Sequence, residues 1–369
     1  METSFEYVFP AIKGIQAQRE YFVSMCPLHL IPKIFIFNEE ELLPELRAQR
    51  ILNKSRLPEI ARYIIDAPGD YVFSAITTSI DADVRFVPIG GQPNSSKVGV
   101  LHIPMSAKFI INDGQHRRAA IEMALLEKPE IGDETIAVVF FLDKGLKRCQ
   151  QMFADLNRYA VRPSRSLGVL YDHRDESATL SKLVALKSQA FKDVVEMEKS
   201  TLSARSRKLF TLSAIYTATN ALLSNIDTES DDEKASLAIE FWNEIDRHIP
   251  EWKLVRQRHL TAGEVRQDFI HSHGVALHAL GKVGNELFHN NQQDWKSLLS
   301  KLNKIDWARS NSELWEGRAL VIGRVSKANQ NVILTTNLLK NYLGLELKPE
   351  ERIFEENFQR GENVKISIL

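Results

Sequence analysis

The stretch Lys108–Leu126, KFIINDGQHRRAAIEMALL, decides how the first half of this chain is read. Its opening KFII is the kind of aromatic and β-branched run that sits in a strand. Asn112-Asp113-Gly114 breaks the run, and from Gln115 apolar residues return at helical spacing. Gly114 therefore falls where a side chain would block the backbone or a ligand. Asp113 is placed to cap the first free N–H groups of the helix. Those N–H groups, with Arg117 and Arg118, make a candidate anion site of fixed dipoles and guanidinium forks. A phosphate suits it, on a nucleotide or on a nucleic-acid backbone. The competing reading of the same residues is an Asp-Gly turn capping a surface helix that carries two exposed arginines.

Upstream, Phe5–Phe9 and Tyr21–Ser24 are strand-like, while Leu28–Phe37 is apolar but broken by Pro32, which predicts a bend or a sheet edge. Glu39–Arg50 and Leu57–Ile65 read as helices, the first with acids in its first turn and the second with Pro58 near its start. Tyr71–Thr78, Val84–Ile89, Val98–Ile103 and Lys108–Ile111 read as strands, and Gln115–Leu126 as a helix. Thr135–Leu142 (TIAVVFFL) reads as a buried strand and Lys144–Leu156 as a further helix. Beyond Pro163 the strand signal fades. Helical patterns cover 178–189, 208–224, 232–248, 264–287, 294–303 and 327–342. The charged tail from Pro349 is expected to be mobile or loosely docked. The class is thus α+β: an α/β domain over 1–165, an all-helical domain over 166–345 and a tail over 346–369.

Lys and Arg number 47 against 48 Asp and Glu in 369 residues, a net charge of −1. Hydrophobic residues make up 44% and charged ones 26%, which excludes wholesale disorder, a collagen-like repeat and a disulfide scaffold. The balance hides segregation. Asp155–Arg165 (DLNRYAVRPSR) holds Arg158, Arg162 and Arg165 with no acid between Asp155 and Asp172. Lys199–Lys208 (KSTLSARSRK) holds Lys199, Arg205, Arg207 and Lys208 among small hydroxyl residues, the chemistry of phosphate-backbone positioning. Asp227–Glu233 (DTESDDE) concentrates acids just downstream. Thr261–Gly284 has two apolar helical stretches with Gly274 between them, which gives a weak helix-turn-helix pattern. His271, His273 and His278 lack the i,i+3 or i,i+4 spacing of a helical metal site, so no metal is expected. GxSxG, HExxH and the P-loop are absent. Two cysteines outside any CxxC, no leader-like start and no apolar run near the ~18 residues of a membrane span point to a soluble, cytoplasmic protein.

Asp113-Gly114-Gln115-His116-Arg117 resembles the signature of the DGQHR-domain family. PAIKGIQAQREYFVSMCPLHLIPKIF (10–35), ELRAQRILNKSRLPEIARYI (45–64) and MFADLNRYAVRPSRSL (152–167) are similar to the DndB family of DNA phosphorothioation gene clusters. The resemblance implies a ParB/sulfiredoxin-like core in which a Gly-polar-Arg-Arg segment at a helix start contacts nucleotide phosphates. Gly114, Gln115, His116, Arg117 and Arg118 would be that segment, and Asn157 with Arg158 the second one that closes over it. It also implies a negative transcriptional regulator that binds the double-stranded promoter DNA of its own cluster. On that reading Arg158, Arg162, Arg165, Lys199, Arg205, Arg207 and Lys208 are the DNA-binding candidates. Cys26 joins them as a sulfur- or redox-sensitive residue, although a lone cysteine usually packs as a small hydrophobe. A homo-oligomer and contacts with other sulfur-modification proteins are expected. The second reading is a ParB-like nucleotide hydrolase or DNA-nicking enzyme. There Arg117 clamps phosphates while His116 or Asp113 orients water or a metal, and the one cofactor implied is a nucleotide. A third is a scaffold for the modification enzymes.

Overall fold

The computed structural model describes residues 5–35, 54–90, 97–142, 151–152, 154–156, 163–290 and 294–361. The chain divides into two compact units, Met1–Val161 and Arg162–Leu369.

The first unit is built on a seven-stranded sheet. Its strands are β1 (Glu6–Gln16), β2 (Arg19–Pro27), β3 (Ile76–Asp81), β4 (Arg85–Pro88), β5 (Val98–Pro104), β6 (Lys108–Asp113) and β7 (Thr135–Leu142), in the order β4-β5-β1-β2-β7-β3-β6. All neighbours are antiparallel except β3 and β7. β1 and β2 extend well beyond the two short runs expected there and form a hairpin. Its two turn residues, Ala17 and Gln18, have φ of 51° and 63°. That left-handed pair matches the twist of the flanking strands better than an ordinary turn would. β7 lies between β2 and β3, with Ile136, Val138 and Phe140 buried on one face. The helices Leu57–Asp66 and Gln115–Glu127 pack on each other, and Ile64, Ile121 and Ala124 join the core under the sheet.

Of the two outcomes expected for Leu28–Phe37, the described part through Phe35 takes the bend: Leu28–Leu30 is a 3-10 turn and Ile31–Ile34 a short helix with Pro32 in its first turn, where the missing N–H costs nothing. One expectation changes here. Of Tyr71–Thr78, only the part from Ile76 joins the sheet. The helix expected over Glu39–Arg50 lies outside the described residues, as does most of Lys144–Leu156.

The second unit is helical. Gly274–His289 runs through its centre between Leu212–Leu223 and Asn329–Leu343. Gly281 allows that approach, because a Cβ there would meet the Ala218 carbonyl oxygen at 2.2 Å. An aromatic cluster of Phe191, Phe210, Trp242 and Trp252 fills the core beside it, with Phe210 and Trp252 ring centroids 4.9 Å apart. Pro250–Arg256 is a helix the sequence pattern did not announce. Two-residue strand pairs, Val195–Glu196 with Phe210–Thr211 and Leu320–Val321 with Arg324–Val325, trim the bundle.

The pattern over 264–287 is two helices, Ala262–Asp268 and Gly274–His289, because Phe269 turns extended and bridges to Ala308. The tail is a further correction. Pro349–Gln359 is a helix held down by the buried Arg318–Glu355 ion pair, with the Arg318 guanidinium 4.5 Å from the Phe358 ring centre. A buried charge pair satisfied on both sides anchors a segment that its composition alone marks as solvated.

Candidate functional site

The strand-to-helix passage forms as the sequence suggests, but its polar groups are spent differently. Gly114 takes a left-handed φ of 106° as the residue before the helix Gln115–Glu127. Asp113 does not cap that helix. Its carboxylate instead accepts from Arg117 Nη2 at 2.7 Å, and the same nitrogen donates to the Ala75 carbonyl at 3.0 Å. Arg117 Nε is buried without a partner. Arg118 is no surface arginine: it donates to the Phe35 and Pro32 carbonyls at 2.8 and 3.2 Å and pairs with Glu122. It therefore staples the helix to the turn at 32–35. Gln115 is buried and donates to the Ile111 carbonyl. His116 is pushed below the usual histidine range by burial and by the cations of Arg56 and Arg117, which keeps it neutral near pH 7. Behind the turn, fully buried Asn112 donates to Ser79 Oγ at 2.7 Å and meets Met152 Sδ at 3.0 Å, while its Oδ1 has no partner.

Asn157, Arg158 and Arg162 lie outside the described residues. Arg165 belongs to the second unit, exposed, with its guanidinium 5.8 Å from the Tyr216 ring centre. Cys26 is fully buried in the sheet core, and burial pushes its thiol up to about 12. It packs there and offers no sulfur to DNA. His271 is likewise a core residue, accepting from Trp252 Nε1 at 3.0 Å and paired with Glu251. The two helices of the helix-turn-helix pattern form, but Gly274–His289 is a core helix: it buries Val275, Leu277, Leu280, Val283 and Leu287 between Leu212–Leu223 and Asn329–Leu343, which does not support the recognition-helix reading.

The basic loop 199–208 is where exposed charge gathers. Arg266 donates to the carbonyls of Ser203, Ala204 and Ser206 at 2.9, 3.3 and 3.2 Å, fixing the loop's backbone. Gly263 lets it close, since a Cβ there would sit 2.4 Å from the Ala204 carbonyl oxygen. The outcome is an open cleft of about 750 Å³ lined by Arg205, Arg207, Lys208, Arg256 and Arg258. Lys208 ties its ammonium to the Asp193 carbonyl at 3.0 Å. Arg256 is consumed by a two-pronged pair with Asp246 at 2.6 and 2.8 Å and by the Ala190 carbonyl. Arg205, Arg207 and Arg258 are exposed and have neither an ion pair nor a side-chain hydrogen bond. Lys199 is exposed on the same loop. Arg258 was missed in the sequence, although Lys253–His259 (KLVRQRH) carries three cations and no acid. Its φ of 62° ends the Pro250–Arg256 helix in the left-handed region and turns it to the cleft.

The chain is thus a mixed α/β unit with an arginine-stapled strand-to-helix turn, followed by a helical unit with a cleft lined by arginines. The chain belongs to the DndB family, described as DNA-sulfur modification-associated, which matches residues 9–346. That membership places it in a DNA sulfur-modification system. No curated protein and no solved structure matches it. Among the described residues no helix is long and apolar enough to cross a membrane, and no group of three or more His, Cys, Asp or Glu is placed to hold a metal ion.

Proposed function

We propose that this chain is a DNA-binding negative regulator of a phosphorothioation gene cluster, acting on its own promoter DNA. The observation that carries the reading is the cleft of Arg205, Arg207 and Arg258, three exposed guanidinium groups without internal partners. Unspent forks of this kind pair with backbone phosphates and release counterions, which supplies affinity whatever the base sequence. Lys199 lies on the same loop as the cleft arginines; Arg158, Arg162 and Arg165 stay DNA-binding candidates through the family resemblance, and other sulfur-modification proteins and a second copy of the chain are the partners the reading favours. The first unit is read as a DGQHR domain with a ParB/sulfiredoxin-like core, supported by the passage from β6 through left-handed Gly114 into a helix.

Gel-shift titration with the cluster's promoter tests the proposal against random duplex of equal length at equal salt. Preferential binding to the promoter is expected, and equal affinity refutes specific regulation. The competing nucleotide hydrolase or nickase fits less well, because Arg118 is taken up by the Phe35 and Pro32 carbonyls and by Glu122, and Arg117 already holds a carboxylate. Phosphate release from ATP, CTP or GTP that disappears in Arg117→Ala would reverse that ranking.

A further inference from the structure

On the inner side of the basic loop the helical unit carries a second concavity, of about 430 Å³, at the start of the helix Gly274–His289. Gly274, Val275 and Ala276 are the first three residues of a sixteen-residue helix, and the residue before it, His273, gives no side-chain cap. Their N–H groups therefore have no partner within the helix. Ser272 lines the same cavity at 5% exposure, and its hydroxyl has no hydrogen-bond partner at all. Lys327 leans over Gly274, its Nζ and Cε each 2.9 Å from where a Cβ would stand. The Lys327 ammonium has no hydrogen bond or ion pair, and Arg309 lines the wall beside it. No carboxylate lines the cavity. Burial and Arg165 hold Lys327 below the usual lysine range, as befits cations gathered without a counterion. His273 is pushed down to about 4, first by burial and then by Arg309 and Lys327 against an opposing bond to the Arg266 carbonyl, so it stays neutral.

We propose that this pocket binds the phosphate group of a small phosphate monoester. The uncapped N–H groups, the Ser272 hydroxyl, Lys327 and Arg309 receive the phosphate oxygens. Leu202, Phe210 and Ala214 supply an apolar wall for the organic part. The volume falls within the range of small-molecule sites. The inference stands apart from the DNA reading, since it concerns a different cavity and a different ligand.

Thermal unfolding and titration calorimetry at constant ionic strength test it, with inorganic phosphate, adenosine monophosphate, adenosine and a short DNA duplex as separate ligands. Phosphate and the monophosphate should raise the melting temperature while adenosine does not, because a ligand of the folded state alone stabilises it. Lys327→Gln removes a charge with no internal partner, and Gly274→Ala fills the cradle with a methyl that only the flexible Lys327 must avoid. Each should weaken monophosphate binding by about tenfold or more while leaving the unliganded melting temperature within a few degrees of wild type. Phosphorus NMR of the monophosphate with wild-type protein gives a reading that needs no variant. The proposal falls if neither phosphate ligand binds, if both variants bind as wild type does, or if duplex DNA alone binds in a Lys327-dependent way.

Discussion

Replacing Arg205, Arg207 and Arg258 together by glutamine separates phosphate contact from structural support. All three are exposed and none has a partner within the protein, so folding stability should stay within about 0.5 kcal/mol of wild type. If each meets one phosphate, the slope of log affinity against log salt flattens by about 0.9 per contact, or about 2.7 in all. Between ~50 and ~200 mM salt the wild type then loses about 40-fold more affinity than the triple variant. Fluorescence anisotropy on a labelled promoter duplex at four salt concentrations reads both slopes directly. Arg256→Gln is the control, because it lines the same cleft but is locked to Asp246. Breaking that buried pair should cost about 3–5 kcal/mol of stability. The fraction that remains folded should keep the wild-type salt slope. Parallel salt lines for wild type and triple variant would refute the assignment of the cleft to DNA.

Arg318→Ala strips the counterion from buried Glu355 and should lower stability by about 3–5 kcal/mol in urea unfolding, releasing the Pro349–Gln359 helix to proteolysis first. Cys26 should resist iodoacetamide in the native protein at pH 7 and react only in denaturant, since a thiol near pKa 12 leaves about one thiolate in 10⁵; native modification read by peptide mass spectrometry contradicts its burial. His273 carries a depressed pKa, so its contribution is complete above the unfolded value near 6.5 and is lost as pH falls toward about 4, where the unfolded chain takes up a proton that the folded one refuses. Up to about 3 kcal/mol should separate the pH 7 and pH 4 stabilities on this account, and His273→Gln should remove that share of the difference.

The sequence spoke most clearly where one local rule decides the outcome. Thr135–Leu142 is a strand with the bounds its apolar run implies, and the strand-Gly-helix passage at 108–127 follows from Asp113-Gly114 and the helical spacing after it. Where tertiary contact decides, the pattern failed. The spacing over 264–287 reads as one helix or as two stretches about Gly274, and only the pairing of Phe269 with Ala308 shows that the first helix ends at Asp268. The charged tail looked solvated because Arg318, 37 residues before the Glu355 it holds, is invisible to any local window. Pro32 signalled interruption correctly, but a proline does not say whether the chain leaves a strand or enters a helix.

The candidate site failed and succeeded for a single reason, which is that sequence counts charges while a fold leaves only some donors unspent. Arg118 and Arg205 look alike in a string of letters. In the folded chain Arg118 gives its N–H groups to Phe35, Pro32 and Glu122, whereas Arg205 gives none of them away. Arg117 stands between these extremes, holding Asp113 and the Ala75 carbonyl through one nitrogen while its buried Nε goes unpaired. A phosphate arriving at Gly114 would have to trade places with the Asp113 carboxylate. The exchange of one anion for another returns little net electrostatic gain, because Arg117 is charge-paired before and after. At Arg205, Arg207 and Arg258 no such trade is needed, since only water and counterions leave. On the proposed reading, polyanion binding is therefore expected of the helical unit, while the Asp113-Gly114 turn fastens its helix to β6 and to the turn at 32–35.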